Sequence, residues 1–318
     1  MATTTIADPQ FLVDVLDGLR CTPKTLPCKY FYDEHGSALF DAITELDAYY
    51  PTRTETGIMT EHVAAMAEAI GPRAALVEYG SGSSQKTRLL LRALPNLAAY
   101  VPIDISGDYL QQQANLLRAR FPETLILPVA ADFTTRFDLP ALPPDTQRRV
   151  VYFPGSTIGN FAPEAATRLL RHMADIAGPS GGLLIGVDLV KDRDVLVRAY
   201  DDPEGVTTAF NKNLLRRINA ELGGTFDLSH FAHEARWNEA ETRMEMHLVS
   251  TETQHASVGG TPFAFAEGES IHTENSHKYT LDGFARLAGR AGWTRRHAWT
   301  DAAGWFSVQY FEAAPPRN

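Results

Sequence analysis

The segment AALVEYGSGSSQKTRLLLRAL, residues 74–94, joins a short apolar run to an amphipathic stretch through a turn that contains two glycines. Its first part, residues 74–80, has the apolar and β-branched composition of a buried strand. Its last part, residues 84–94, repeats apolar side chains at the spacing of one helix face. A buried strand that leads directly into a helix predicts the first half of a parallel βαβ unit.

The same alternation of strand and helix continues to about residue 188. This rhythm is typical of parallel strands joined by helical crossovers. We therefore predict an α/β fold with a doubly wound sheet. The further strands are expected at residues 98–106, 124–132, 148–155 and 181–190, and the further helices at residues 108–121 and 163–178.

The flanks of this region have a different character. Residues 1–54 are mostly helical and loop-like, whereas residues 191–278 begin with a helical pattern and turn into alternating strands such as residues 242–251. A helix at residues 281–292 precedes two strands within residues 293–313 that are expected to close the sheet in antiparallel fashion. We predict a sheet domain of residues 55–190 plus 279–318, and an inserted α+β domain of residues 191–278 that residues 1–54 complete.

Composition favours a globular protein that acts on a small molecule. The 318 residues are 44% hydrophobic, and the net charge of −10 argues against a partner that is held through many phosphates. No segment reaches the roughly 18 apolar residues of a membrane span. Cys21 and Cys28 do not form a zinc-ligand spacing and read as reduced thiols. We expect a cytoplasmic monomer with no nucleic-acid or membrane partner.

The glycine turn predicts a ligand site, because ligands of doubly wound sheets bind at the carboxyl ends of the strands. Gly80 and Gly82 let the backbone turn tightly and approach a ligand. Ser83 or Ser84 can cap the next helix, whose N-terminus favours a carboxylate such as that of S-adenosylmethionine. Gln85 stands where a dinucleotide fingerprint has its third glycine, which weakens the nicotinamide interpretation.

Acidic residues follow the predicted strands. Glu78 suits a positively charged cofactor, although a carboxylate that orients the loop backbone is an alternative. Asp104 ends the second strand, where an acidic side chain accepts hydrogen bonds from ribose hydroxyls. Asp132 and Phe133 end the third strand, where a carboxylate and a ring suit the adenine base, although Asp132 is also a candidate helix cap. Lys86, near the start of the helix after the turn, could contact the cofactor or could equally be a solvated helix residue.

Five longer strings in the chain are characteristic as a set. They are PKTLPCKYFYDEHGSALFDAITELDAYYPTRTE at 23–55, VEYGSGSSQKTRLLL at 77–91, FPGSTIGNF at 153–161, DLVKDRDVLVRAYDDPEGVTTAFNKN at 188–213 and TENSHKY at 273–279. Taken together, they resemble one known family, the histidine-specific Nα-methyltransferases of ergothioneine biosynthesis. The resemblance runs over nearly the whole chain in the same order.

The resemblance implies a class I methyltransferase sheet, Rossmann-like, with an inserted α+β substrate-binding domain. It also implies the transfer of three methyl groups from S-adenosylmethionine to the α-amino nitrogen of L-histidine, without a metal. The family's cofactor residues would fall on Tyr32, Gly80, Lys86, Asp104, Asp132 and Phe133, and its amino-acid pocket on Tyr49, Asn160, Tyr200, Met246, Glu274 and Ser276.

These positions suit the chemistry that the resemblance implies. An ammonium has no lone pair, so the neutral amine must be bound or generated, and Tyr32 is the candidate catalytic residue that handles its proton. Asn160 and Tyr200 can donate to the α-carboxylate. Glu274 and Ser276 are two apart, so on a strand they share one face and can hold the two imidazole nitrogens.

Ordinary structural roles remain open for several of these residues. Asn160 follows a glycine and is a common turn residue, and Tyr200 is compatible with a half-buried core position. Met246 alternates with apolar neighbours, as core residues do, and residues 273–279, taken alone, are typical of a polar surface strand.

Two strings depart from the family pattern. The cofactor loop reads EYGSGSS rather than ELGSGTS, and the last motif reads TENSHKY rather than TEVSCKF, which places Asn275 and His277 beside the predicted pocket. The alternatives are the same fold acting on another amino acid or small amine, a nicotinamide-dependent oxidoreductase, and a non-catalytic protein with a cofactor fold.

Overall fold

A computed structural model describes residues 8–82 and 85–314, and it leaves the side chain of Gln85 undescribed. Apolar side chains at helical spacing form nine α-helices within those ranges. The helices are α1 Pro9–Arg20, α2 Glu34–Glu45, α3 Tyr50–Ile70, α4 Gln85–Ala93, α5 Gly107–Arg120, α6 Pro163–Ala177, α7 Arg193–Tyr200, α8 Val206–Leu222 and α9 Leu281–Arg290.

Thirteen strands lie in the same described ranges, with 3₁₀ turns at Cys28–Phe31, Thr157–Asn160 and Leu228–His230. The strands are β1 Lys24–Thr25, β2 Ala74–Tyr79, β3 Ala99–Asp104, β4 Val129–Ala130, β5 Arg148–Phe153, β6 Gly182–Asp188, β7 Phe231–Asn238, β8 Arg243–Ser250, β9 Gln254–Val258, β10 Thr261–Phe265, β11 Ser270–His277, β12 Trp293–Thr300 and β13 Phe306–Ala313.

The chain divides into two compact units, each made of two chain segments. The first unit joins Met1–Tyr50 with Asp192–Ser276, and the second joins Pro51–Lys191 with His277–Asn318. We call them the insert unit and the sheet unit. No helix among the described residues is both long enough and apolar enough to cross a membrane.

The sheet unit contains seven strands in the order β12-β13-β6-β5-β2-β3-β4. Strands β2, β3, β4, β5 and β6 are parallel, and β13 runs antiparallel to both β6 and β12. Successive side chains of β2 point to opposite faces, so Val77 packs in one hydrophobic cluster and Leu76 in another. The sheet is therefore covered by apolar clusters on both faces, which confirms the predicted doubly wound α/β class.

The third predicted strand is much shorter than the expected residues 124–132. Val129 and Ala130 form a two-residue ladder with β3, and a separate isolated bridge joins Ile126 to Tyr100 of β3. Pro128 lies between these two pairings, and proline has no N–H to donate to a ladder. The edge of the sheet is interrupted for this reason.

The insert unit contains a four-stranded sheet, β1-β11-β8-β7, and a β9–β10 hairpin. Its core includes Phe11, Phe210, Met246 and Phe265, all nearly inaccessible to solvent. Helix α8 was not predicted individually, although Phe210, Leu214, Ile218 and Leu222 recur on one of its faces.

Candidate active site

The glycine turn of the sheet unit has the backbone conformation that its sequence requires. Gly80 has φ +71° and Gly82 has φ +42°, values that L-residues with a side chain rarely adopt. The Gly80 N–H donates to the carbonyl of Ile103 at 2.9 Å, which ties the turn to β3. The capping role predicted for Ser83 or Ser84 falls outside the described residues.

Asp104 lies beside this turn at the carboxyl end of β3. Burial raises the pKa of its carboxyl, and backbone N–H groups of Ser106, Gly82 and Ile105 oppose that shift. The Ser106 N–H lies 3.0 Å from Oδ1. The half-buried carboxylate is thus positioned by backbone donors next to the glycine turn.

Phe133 also lies against the turn. A Cβ built on Gly80 would come within 3.7 Å of its ring, and the Phe133 ring centroid lies 5.5 Å from that of Tyr79 and 5.6 Å from that of Phe153. Three of the predicted cofactor residues therefore meet at one turn: Gly80 lies in it, and Asp104 and Phe133 lie beside it.

Asp132, the preceding residue, has a local partner. Its Oδ1 accepts from the N–H of Thr134 at 2.9 Å and from the hydroxyl of Thr134 at 2.5 Å. Residues 133–135 form a turn and bend, so the predicted helix cap is wrong and Asp132 caps a turn instead. No hydrogen bond to its Oδ2 is found in the part of the chain that the structure describes.

Glu78 is buried and its carboxylate accepts hydrogen bonds from neighbouring side chains. Its carboxylate accepts from the Thr87 hydroxyl at 2.7 and 2.9 Å and from the Tyr100 phenol at 2.6 Å, and the residue is 1% exposed. Burial raises its pKa to about 7, although those two hydrogen bonds lower it. Its hydrogen-bond partners are side chains of α4 and β3 rather than the loop backbone, so Glu78 connects these two elements.

Lys86 is not a solvated helix residue. Its ammonium pairs with Glu55, whose side chain is inaccessible to solvent, and Glu55 accepts from the Gly155 N–H at 3.0 and 3.1 Å. The pair connects α3, α4 and the loop after β5. The sequence pattern contains no local signal for this contact, because Glu55 lies 31 positions before Lys86.

Asn160 ends the 3₁₀ turn Thr157–Asn160 in the loop after β5 and is half-buried. Ser156, in the left-handed conformation at φ +58°, begins that turn, and its hydroxyl accepts from the Asp188 N–H at 2.9 Å. The loop is therefore tied to the end of β6. Asn160 thus occupies the turn position that the sequence offers as an alternative, and its contact with the amino acid stays a prediction.

Asp188 forms a buried ionic cluster with two lysines, next to the loop after β5. Lys278 lies 2.7 Å from Asp188, and Lys191 also pairs with it. Burial raises the Asp188 pKa, but the two ammonium groups outweigh burial and hold the pKa below its usual value. Burial lowers the Lys191 pKa to about 8. This cluster fixes the start of the segment that returns to the sheet unit after β11.

The insert unit brings four of the predicted residues into one continuous group. The phenol of Tyr200 donates to the Ser276 hydroxyl at 2.7 Å, and the rings of Tyr200 and Tyr49 lie 6.4 Å apart, edge to face. Phe40 lies 6.3 Å from Tyr49 and 5.7 Å from Tyr32 between ring centroids. Tyr32, Tyr49, Tyr200 and Ser276 are therefore linked through contacts that involve one additional aromatic residue.

The backbone carbonyl of Tyr200 contacts a polar network that the sequence did not predict. Its carbonyl lies 2.8 Å from His233 Nε2, and His233 Nδ1 lies 2.8 Å from the Asn211 amide. The Thr273 hydroxyl donates to Asn211 at 2.7 Å and to the Met246 carbonyl at 3.0 Å. These contacts join α7, β7, α8, β8 and β11, and only the folded chain reveals them.

Met246 and Glu274 differ in their surroundings. The Met246 side chain is 2% exposed and belongs to the core of the insert unit. Glu274 is half-buried on β11, and its charge helps burial raise the pKa of the Cys28 thiol to about 12. Ser276 and His277 are almost fully buried and Asn275 is half-buried, so the surface-strand interpretation of residues 273–279 is wrong.

The sheet order and the turn define the class of protein. Six strands that run in one direction, with β13 antiparallel between β6 and the edge strand β12, form the class I methyltransferase sheet. The glycine turn with Asp104 occupies its ligand-binding end. Residues 11–313 match the family described as histidine-specific, SAM-dependent methyltransferases, and the chain belongs to that family. This membership sets aside both the nicotinamide oxidoreductase and the non-catalytic protein.

Three relatives illustrate the family. The chain is 43% identical over 300 residues to the histidine N-alpha-methyltransferase of Mycolicibacterium smegmatis, which covers 93% of this chain and 92% of the relative. It is 44% identical to the protein of that name in Mycobacterium tuberculosis, with the same coverage. It is 30% identical to ergothioneine biosynthesis protein 1 of Neurospora crassa, over 87% of this chain and 32% of that protein.

Proposed function

We propose that this chain is an S-adenosylmethionine-dependent L-histidine Nα-methyltransferase. Its product is Nα,Nα,Nα-trimethylhistidine, hercynine, at the first step of ergothioneine biosynthesis. The observation that carries the proposal is the match of residues 11–313 to a histidine-specific methyltransferase family. The two mycobacterial relatives, which bear the name histidine N-alpha-methyltransferase, support the same substrate.

We assign the methyl donor to the sheet unit. Gly80 allows the donor to approach the backbone, and the half-buried Asp104 suits the two ribose hydroxyls. Phe133 offers a ring to the base, while Asp132 would accept from the adenine amine through the oxygen that the Thr134 contacts leave available. Lys86, held by Glu55, would place a positive charge near the donor's carboxylate.

We assign the amino acid mainly to residues of the insert unit. Tyr200 and Ser276 already share a hydrogen bond, so one polar group can serve both the carboxylate and the imidazole of a bound histidine. Glu274 would accept from an imidazole N–H and Tyr49 would supply apolar surface, whereas the burial of Met246 favours the core role that the sequence also allows. The family resemblance assigns Asn160 as an amide donor to the carboxylate.

The reaction is an in-line displacement at the donor's methyl carbon. The nitrogen lone pair forms the new N–C bond as the C–S bond breaks, and the sulfonium becomes a neutral thioether. Holding the nitrogen on the methyl axis supplies most of the acceleration. Each transfer needs a neutral amine, so one proton leaves the nitrogen before each of the three transfers when histidine starts as the ammonium form. We assign Tyr32 to accept or relay these protons.

The third methylation leaves a fixed positive charge on the nitrogen. Tyr32 and Tyr49 belong to one aromatic group with Phe40, and ring faces stabilise a quaternary ammonium by about 0.5–2 kcal/mol each. This preference for a cation favours completion of the series. Methyl transfer of this kind requires no metal ion.

We further propose a cytoplasmic monomer. The free thiols of Cys21 and Cys28 support a reducing compartment, and the net charge of −10 disfavours a nucleic-acid partner.

An amino-acid panel tests the function. The full chain is incubated with methyl-labelled S-adenosylmethionine and each of the common L-amino acids, and labelled product is separated by chromatography. We expect label in the histidine reaction and background elsewhere. Label in another amino acid or a small amine, with none in histidine, would contradict the proposed substrate while leaving the family assignment intact.

A further inference from the structure

Two histidines and one glutamate lie together on neighbouring strands of the insert unit. Glu245 and His247 are two positions apart on β8, and His272 lies on β11, which is next to β8 in the sheet. One potential ligand atom from each residue lies within 4.8 Å of the others. None of the three has a role in the proposed methyl transfer.

The spacing of these side chains suits a small metal ion. His247 Nε2 lies 3.0 Å from Glu245 Oε2, and the His247 and His272 rings stack with centroids 4.9 Å apart and planes at 16°. Bonds of about 2.0–2.2 Å from nitrogen and oxygen to Zn²⁺ in a tetrahedral site place ligand atoms a little over 3 Å apart. Small side-chain movements would therefore complete the coordination.

Each histidine also has a partner for its other ring nitrogen. His272 Nε2 lies 3.0 Å from the Glu274 carbonyl, which can only accept, so Nε2 carries the proton and the other nitrogen keeps a lone pair. His247 Nδ1 lies 3.2 Å from the Ser270 hydroxyl. Metal-binding histidines usually have such outer partners, which set the ring orientation and the tautomer.

The glutamate is oriented in the same way. Its Oε1 accepts from the Asn238 amide at 2.9 Å and lies 2.7 Å from the Arg243 guanidinium. These contacts hold the carboxylate and direct Oε2 toward His247. Both histidines and Glu245 are buried or half-buried, so the ligand atoms are held by the protein rather than displayed on long mobile side chains.

We propose that Glu245, His247 and His272 form a binding site for a divalent transition-metal ion, with Zn²⁺ the best chemical match. Two imidazoles and one carboxylate with water in the fourth position are a familiar zinc ligand set. The ion would cross-link β8 and β11. Because His272 donates to the backbone of Glu274, occupancy would also fix the backbone of that residue.

Metal titration of the full chain, free of any histidine tag and stripped with EDTA, tests the site. Co²⁺ is added while visible absorption is recorded, and Zn²⁺ is then added to displace it. We expect one equivalent of Co²⁺ with the strong visible bands of a four-coordinate ion. His272→Asn and Glu245→Gln should each lower affinity by at least about tenfold.

His255→Asn is the matched control, because His255 is an exposed histidine on β9 of the same unit. It should bind like the wild-type chain. Absence of stoichiometric binding, or equal affinity in His272→Asn and His255→Asn, would overturn the proposal. If a variant fails to fold, anomalous scattering at the zinc edge from wild-type crystals decides: a peak among the three residues supports the site, and its absence there contradicts it.

Discussion

The phenol of Tyr200 donates a hydrogen bond of 2.7 Å to the hydroxyl of Ser276, a residue 76 positions later in the chain. The bond joins the end of α7 to β11. The polar network of His233, Asn211 and Thr273 contacts the backbone carbonyl of Tyr200. Two residues assigned to the amino-acid pocket are thereby positioned as one unit.

Coupling between these two residues is the first prediction. Tyr200→Phe and Ser276→Ala should each weaken L-histidine binding, and their effects should not add, because either change removes the shared hydrogen bond. Titration calorimetry on the wild type, both single variants and the double variant should give a coupling energy of about 0.5–1.5 kcal/mol. Additivity within roughly 0.3 kcal/mol would show that the bond has no part in binding.

Glu274 is expected to recognise the imidazole. Glu274→Ala should weaken histidine binding by roughly 2 kcal/mol, the scale for a buried donor left without an acceptor. Glu239→Ala, an exposed glutamate in the β7–β8 turn, is the control and should bind histidine normally. Equal calorimetric affinities for the two variants would place Glu274 outside the pocket.

Tyr32 is expected to handle the amine proton. Tyr32→Phe should slow turnover at neutral pH and shift the dependence of rate on pH, since the phenol no longer accepts or relays the proton. Tyr30→Phe removes a neighbouring phenol that donates to Asp14, and it should leave the shape of the profile unchanged. An unaltered profile in Tyr32→Phe would exclude that role.

Glu78 should make stability depend on pH. Burial raises its pKa to about 7 in the folded chain, against a reference value of 4.5. The folded state then holds the proton more tightly, so this stabilisation is complete below pH 4.5 and is lost as pH rises through 7. The shift corresponds to about 3 kcal/mol.

Urea unfolding at several pH values measures this effect. Between pH 5 and 8 the wild type should lose stability relative to Glu78→Gln, whose side chain cannot ionise. Glu123→Gln, at an exposed site, should follow the wild type. Parallel curves for the wild type and Glu78→Gln would mean that Glu78 titrates normally.

Gly80 should resist substitution. Its φ of +71° makes alanine unfavourable by about 1–2 kcal/mol, and the resulting distortion should weaken binding of S-adenosylhomocysteine. Gly289→Ala, inside α9 with open space around it, should instead stabilise the chain by about 0.5–1 kcal/mol. Urea unfolding measures the stability of both variants, and calorimetry measures their affinity for S-adenosylhomocysteine. Wild-type stability and wild-type affinity in Gly80→Ala would contradict the prediction.

Much of the sheet unit could be predicted because its strands are buried on both faces and have a distinct apolar composition. β2, β3, β5 and β6 all lie within the expected ranges. The short β4 was harder, since proline at position 128 removes a ladder donor without changing the apolar pattern. Helix α8 was missed although its apolar periodicity was visible.

The site was predictable only where position in the fold determines it. Gly80 comes directly after β2 and Asp104 is the last residue of β3. Because these strands are parallel neighbours, the two residues must lie close together. The contacts of Lys86 with Glu55 and of Tyr200 with Ser276 join residues far apart in sequence, and no local pattern encodes such pairs. The roles of the pocket and catalytic residues come from the family resemblance and stay proposals; these residues are Tyr32, Tyr49, Asn160, Tyr200, Met246, Glu274 and Ser276.

Mass spectrometry of a reaction containing this chain, L-histidine and excess S-adenosylmethionine tests the central claim most directly. We predict that histidine gains one, two and finally three methyl groups, all on the α-amino nitrogen, with the trimethylated form as the end product. Unchanged histidine, or methyl groups on the imidazole ring instead, would contradict the account.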